Sequence, residues 1–462
     1  MSTGVSAEAT VELRPLPLPD FGTAAEPPGL PEAEYEGRID ALRASVESDW
    51  IVVYGDREHF ANLAFLTAFD PRFEEAVLVL GPGDARHLLV GNEGLGYGSV
   101  AVAPRLEVRL CQSLSLMGQD RSGSPSLHRS LGDLGIGPGA RVGVVGWKYF
   151  TPEEWEGTSP GIAAPAFLVD TLRNLTSDAG IVEDVTRSLL DPGSGLRSRA
   201  SAVQIAAFEW AASRATRAVM RVLSGTRPGM TELEAVSRMG YAGEPLSAHV
   251  MFASGTGEIV GLRSPTARKV RLGDAVTTAI GYWGGLGCRA GLLRSGDDPD
   301  FTRLFGGPYF GAICAWYETV GLGVKGGEVF EAVETALAGT GFRSMLNPGH
   351  LTHLDEWTNS PIVKGGSVPV GSGMVFQCDI IPTPLGPGRA LNCEDGVAIA
   401  GAELRRELAE DYPDVWERIS ARQRFMRDEI GIQLRDEVLP LSSSPAYLPP
   451  FWLDPDHVYV RG

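Results

Sequence analysis

Three short apolar runs between Asn347 and Ala400 constrain this chain more than any other feature. They read Asn-Pro-Gly-His-Leu-Thr-His-Leu-Asp-Glu-Trp (347–357), Gly-Met-Val-Phe-Gln-Cys-Asp-Ile-Ile-Pro (373–382) and Ala-Leu-Asn-Cys-Glu-Asp-Gly-Val-Ala-Ile-Ala (390–400). Gly and Pro punctuate them, and apolar runs of this length between turn residues read as buried strands. Side chains alternate between the faces of a strand. Gln377 therefore shares a face with Asp379, and Asn392 with Glu394. If these two strands pair, four polar side chains converge on one patch of an apolar sheet. A buried acid requires a partner or a task. A satisfied hydrogen-bond network and a functional site are equally open on the pattern alone.

Composition narrows the class of protein. The 462 residues carry 43% hydrophobic and 21% charged side chains, the profile of an ordinary globular chain of two or three domains. A formal net charge of −18 argues against nucleic acid and anionic membrane as partners. There is no apolar run long enough for a membrane span, and the N-terminus lacks the pattern of a secretory signal. The odd count of 5 cysteines, without CxxC spacing, fits free thiols in a reducing cytoplasm.

Along the chain, residues 1–30 are rich in Pro, Ala and Glu and read as a flexible N-terminal tail or extended arm. From 31 to 190, apolar strands such as Trp50–Tyr54 and Arg141–Val145 alternate with helical spacing, which predicts an α/β layer domain. Asp191-Pro192-Gly193-Ser194-Gly195 is the linker candidate. A second domain follows over 196–430. It opens with a long helix whose stripe runs Val203, Ala207, Ala211, Ala215, Ala218 and Val222. Thr231 and Glu234 form a capping-box pattern, and Gly284-Gly285-Leu286-Gly287 reads as a hairpin turn. Past Ala402 one charged helix is expected to about Glu429. Residues 431–462 read as a strap laid on the surface, with Tyr447, Phe451 and Trp452 exposed for an interface.

Four ordered motifs in the second domain resemble the creatinase, prolidase, aminopeptidase P and methionine aminopeptidase family. They are Arg227-Pro228-Gly229-Met230-Thr231-Glu232, Leu272-Gly273-Asp274 through Ile280-Gly281, Gly349-His350, and Gly373-Met374-Val375 through Asp379 with Asn392-Cys393-Glu394-Asp395. Asn62 to Phe69 is similar to the N-terminal domain of the creatinase and prolidase branch. The resemblance implies an α/β (α+β) chain: a creatinase-type N-terminal domain, then a pita-bread domain. It also implies a homodimer. The family's peptidases hold two divalent metals on two Asp, one His and two Glu. Matched to this sequence, those positions fall on Ala279, Ala290, His350, Asp379 and Glu394. Two carboxylates are too few for two divalent cations. The expectation is therefore no cofactor, with a single divalent metal on His350, Asp379 and Glu394 still open.

Creatinase, the metal-independent branch, places a histidine base after the Ser254-Gly255-Thr256 turn, where this chain has Leu262. Glu258 is a substitute for that base and Arg263 a clamp for a substrate carboxylate, although ordinary loop charges explain both. His350 is the imidazole retained at a family active-site position, and it titrates in the range general acid–base work needs. Asp379 and Glu394 would orient it or bind a cationic group. Gln377, Asn392, Trp357 and His353 complete the substrate-contact candidates, Trp357 standing where the peptidases carry a second pocket histidine and His353 reading first as a packed loop histidine. A nucleophilic pair of Cys288 with histidine is a remote reading, and Cys378 and Cys393 read as small apolar core residues. Three functions follow for a small-molecule or short-peptide ligand. They are a metal-independent creatinase-like hydrolase of a C–N bond, an Xaa-Pro metallopeptidase with an altered site, and a non-catalytic binding relative.

Overall fold

The computed structural model describes residues 10–158, 161–258 and 261–462. The chain forms two compact units, Leu30–Arg197 and Met1–Gly29 with Ser198–Gly462.

The Leu30–Arg197 unit is built on a mixed six-stranded sheet. Its strand order is Glu107–Leu110, Arg86–Val90, Ala76–Leu80, Trp50–Gly55, Arg141–Val145, Ile181–Asp184. Every residue of Trp50–Gly55 and Ala76–Leu80 is buried, because the sheet is covered on both faces, and this explains their unbroken apolar runs. In the helix Ala61–Thr67, buried Asn62 donates to Gly146 O at 2.8 Å and accepts from Arg197 at 2.7 Å. Its polar ends are thus satisfied within the core.

The other unit is built on a seven-stranded antiparallel sheet. Its order is His350–Leu351, Val375–Cys378, Asn392–Ile399, Gly285–Leu292, Ala275–Tyr282, Leu246–Gly255, with Val438–Pro440 also paired to Asn392–Ile399. The glycine-rich stretch is a hairpin turn: Tyr282 pairs with Gly285, leaving Trp283 and Gly284 to turn. Gly284 has φ +102°, and a Cβ there would lie 2.1 Å from the Phe208 ring. The long helix spans Ala202–Gly225 and packs on this hairpin, its alanines allowing the close approach. The Thr231/Glu234 capping box forms. Among the described residues no helix is long and apolar enough to cross a membrane.

Three expectations are corrected. Residues 10–29 are the extended arm and not the flexible tail: Val11–Pro15 pairs along its length with His457–Arg461, and Leu16 is buried. Apolar Val11 and Leu13 pack against the core and hold the strand there; residues 1–9 lie outside the described residues. The strap at 431–462 is internal, not superficial. Val438–Pro440 is a strand of the sheet, and Tyr447, Phe451 and Trp452 are buried, so they offer no surface to a second copy. The single charged helix is two, Ala402–Asp411 and Pro413–Phe425. Pro413 lacks the N–H of a continuous helix and clashes with the preceding turn, so the chain restarts at it.

The second of these helices and the long helix share a buried ion cluster. Glu209 accepts from Arg418 at 2.7 and 3.0 Å and from Arg422 at 2.6 Å, with Glu209 and Arg422 fully buried. Burial by itself would raise the Glu209 carboxyl, but Arg422 and Arg418 outweigh it and hold it below its ordinary value. A depressed folded value gives stability that is complete above the unfolded value and is lost as pH falls through the folded one. Urea midpoints measured from about pH 7 to about pH 3 should therefore drop below about pH 4.5. Glu209→Gln should lose about 3–5 kcal/mol at neutral pH by stranding Arg422, and its midpoints should respond less to acid.

Candidate active site

The sheet brings the three apolar runs together. Glu394 stands opposite Cys288, and Cys288 opposite Ala279, in one row across three strands. Two residues along, on the same face, Asn392 stands opposite Ala290. His350 opens its short strand opposite Gln377, and Asp379 directly follows the strand Val375–Cys378. His350, Asp379 and Glu394 are all buried, and one potential ligand atom from each lies within 4.8 Å of the others.

His350 is held on three sides. Its Nδ1 lies 3.3 Å from Leu351 O; with that nitrogen as donor, Nε2 faces the acids. Nε2 is 3.0 Å from Glu356 Oε1 and 3.9 Å from Glu394 Oε1. The Trp357 ring stacks on the imidazole at 4.0 Å between centroids and 19° between planes. Trp357 is 38% exposed, whereas His350 is 0% exposed, so the indole separates the imidazole from solvent. Gln377 Nε2 donates to Leu286 O at 2.9 Å and to Glu394 Oε1 at 3.4 Å. Among the described residues, His350 Nε2, Gln377 Oε1, Asp379 Oδ1 and Asn392 Oδ1 are buried without a hydrogen-bond partner, Glu356 lying at ion-pair distance from Nε2 but outside hydrogen-bond geometry. Such oxygens call for donors from a ligand or water.

These surroundings displace the ionisations. Burial, then Asp379, Glu356 and Asp395, push the Glu394 carboxyl well above the usual carboxylate range. Burial pushes Asp379 up to about 7, with His350 opposing and Glu356 adding. Burial disfavours the imidazolium, but Glu356 and then Asp379 outweigh it and raise His350. The cluster is thus suited to hold and pass protons near neutrality. Cys288 is driven the other way for a nucleophile: burial and Glu394 push its thiol up, which removes the Cys–His reading. Cys378 and Cys393 are buried in the main core.

Not every candidate joins the cluster. His353 is buried against the long helix, with Nε2 2.9 Å from Gln204 Nε2 and its ring edge-on to Phe208. It is a packed histidine in place of a substrate contact. Glu258 and Arg263 are exposed on the loop beyond Leu246–Gly255. Among the described residues neither contacts the trio, because that loop turns back on its own strand, where Phe252 N donates to Arg263 O. The sequence reading missed Glu356, which adjoins Trp357 in a segment without regular structure, where alternation assigns no face. It also missed the ion pair behind Glu394. Arg289 Nη2 bonds both carboxylate oxygens of Asp395 at 2.9 and 3.0 Å, with both residues buried. An arginine inside the apolar run Gly287–Leu292 was the available signal.

The donor set decides between one metal and two. The hairpin contributes Ala279 and Ala290, and Ala279 belongs to an apolar cluster with Met251, Leu286 and Cys288. No carboxylate therefore reaches the cluster from these two strands, and a metal pair does not fit. A single divalent ion does fit His350, Asp379 and Glu394, given their spacing and the unpartnered Asp379 Oδ1.

Neither a family model nor a curated protein matches this sequence. Solved structures do match in fold. Dipeptidase PepE from Mycobacterium ulcerans is 20% identical, with a TM-score of 0.58 over 81% of this chain and 95% of that one. The prolidase from Pyrococcus horikoshii is 14% identical, with a TM-score of 0.60 over 80% and 95%. The X-Pro aminopeptidase from Thermotoga maritima is 15% identical, with a TM-score of 0.60 over 78% and 94%. The chain has the pita-bread architecture of these peptidases, with a second α/β unit. The fold expected from the ordered motifs is the fold observed, at identities too low to carry activity with it.

The ion pair behind the site generates a stability prediction. Arg289→Met should destabilise the protein by about 3–5 kcal/mol, since it leaves Asp395 buried and unpaired. Arg289→Met with Asp395→Leu should recover part of that loss. Denaturant midpoints of the two variants check both statements.

Proposed function

We propose that this protein is a metal-independent hydrolase of a C–N bond in a small amino-acid or peptide derivative, a chemistry of the creatinase type. The observation that carries the reading is the setting of His350, with Nε2 3.0 Å from Glu356 and its face covered by Trp357. An imidazole that is buried, charge-supported and fixed in orientation is built for proton transfer. The hydrolytic fold of the neighbours agrees with this reading.

Each residue has a part in such a step. Water adds to the carbon of the scissile bond and yields a proton to the Asp379 carboxylate. His350 Nε2–H delivers a proton to the departing nitrogen as the C–N bond breaks. Asp379, near 7, is equipped to accept and return a proton at neutral pH. Gln377 Oε1 and Asn392 Oδ1 accept from the substrate's N–H groups. Trp357 excludes water from the imidazole, and substrate reaches His350 by displacing it.

The spacing of the trio favours one further reading. His350, Asp379 and Glu394 would hold one divalent ion, which when bound would polarise the substrate carbonyl. A chelator separates the two.

Hydrolysis of a dipeptide and N-acyl amino-acid panel should survive exhaustive EDTA treatment, and elemental analysis should return fewer than two metal equivalents per chain. His350→Ala and Glu394→Gln should each lower turnover about 100-fold or more, with unchanged circular dichroism. Loss of activity in EDTA with rescue by Mn, Co or Zn would replace this reading by the single-metal one. Full activity in His350→Ala would end both.

A further inference from the structure

The same unit holds a second chamber, lined by none of the trio. Its floor is one side of the long helix, where Arg214, Arg217 and Arg221 follow at helical spacing, and its roof is the N-terminal arm at residues 18–25. Two cavities of about 290 and about 400 Å³ share Asp20, Arg217 and Arg221 in their walls. The smaller adds an apolar wall of Leu18, Phe21, Met220 and Tyr447. Guanidinium groups and an aromatic-lined hollow thus stand side by side.

The arginines differ in what already occupies them. Arg214 pairs with Glu244. Arg217 donates to Asp20 at 2.7 Å, a contact that pins the arm, since Asp20 also accepts from Gly22 N. Arg221 donates one bond, to Met239 O at 3.0 Å, is exposed, and ion-pairs with no carboxylate among the described residues. A guanidinium has five N–H donors in a planar fork shaped for an oxyanion. Arg221 therefore keeps most of that fork available at the mouth of an apolar hollow, in a chain whose net charge is −18. Asp456 lines the hollow with Tyr447 and disfavours a second negative charge there. The walls select a ligand with one anionic end and an apolar body.

We propose that this groove binds a small aryl or acyl oxyanion, its carboxylate or phosphate on Arg217 and Arg221 and its apolar body against Leu18, Phe21 and Met220. Isothermal titration of the full chain with phenyl phosphate, phenylacetate and inorganic phosphate tests it. One of the two aryl anions should saturate at one per chain and bind more tightly than inorganic phosphate, and the tighter of the two identifies the head group. Arg221→Gln should weaken it about tenfold, the scale of one charge-assisted contact. Asp20→Asn keeps an acceptor for Gly22 and frees Arg217 of its competing charge, so it should tighten binding. Absence of saturable binding in the wild type would overturn the proposal. So would Arg221→Gln binding as the wild type does, or inorganic phosphate binding as tightly as the aryl anions. None of these readouts depends on catalysis at His350.

Discussion

The buried pair of Arg289 and Asp395 is the interaction on which the sheet depends. Arg289 bonds Asp395, Glu394 O, Tyr447 O and Ser444 O, so one guanidinium joins the hairpin, the Glu394 strand and the C-terminal segment. Asp395 also accepts from Ala446 N. Every polar atom of the pair has a partner, which is what makes an ion pair tolerable in a core. Glu394 is the next residue and faces the other way. Its position beside His350 is therefore inherited from a salt bridge on the opposite side of the strand.

On the site side the arrangement is reversed. Three carboxylates, Glu356, Asp379 and Glu394, meet one imidazole in a space where charge is poorly solvated. The buried face can stabilise few negative charges, so Asp379 and Glu394 keep their protons to higher pH than free carboxyls do. Ala279 and Ala290 sharpen this, because they supply neither ligands nor counter-charge. Glu356, partly solvated, sits at the imidazole edge, where it supports a positive ring.

How much of this could be read from the sequence depended on regularity. Strand alternation correctly predicted that Asp379 and Glu394 would meet, because both lie on or at the end of strands whose partners are fixed by pairing. It assigns no face to Glu356, which lies in an irregular segment where only tertiary contacts set direction, whereas the packed reading of His353 is the one the structure shows. The break before Pro413 was legible and passed over, since a proline inside a charged periodic run is a stop signal. The ends of the chain were misread for a different reason. Pro-rich composition describes how a segment behaves alone, and Val11–Pro15 is ordered by a strand at the far end of the sequence.

That closure has a consequence for how the protein is made. Leu30–Arg197 is continuous in sequence and contains all the strand partners of its own sheet, so it can fold as it leaves the ribosome. The unit that follows cannot. Its first strand is synthesised before that unit's other strands and finds its partner in His457–Arg461, which follows all of them in the sequence. Its central strand also awaits Val438–Pro440. A ribosome stalled short of those residues would carry one finished unit and a second with an open sheet edge, the kind of exposure that recruits chaperones or other chains.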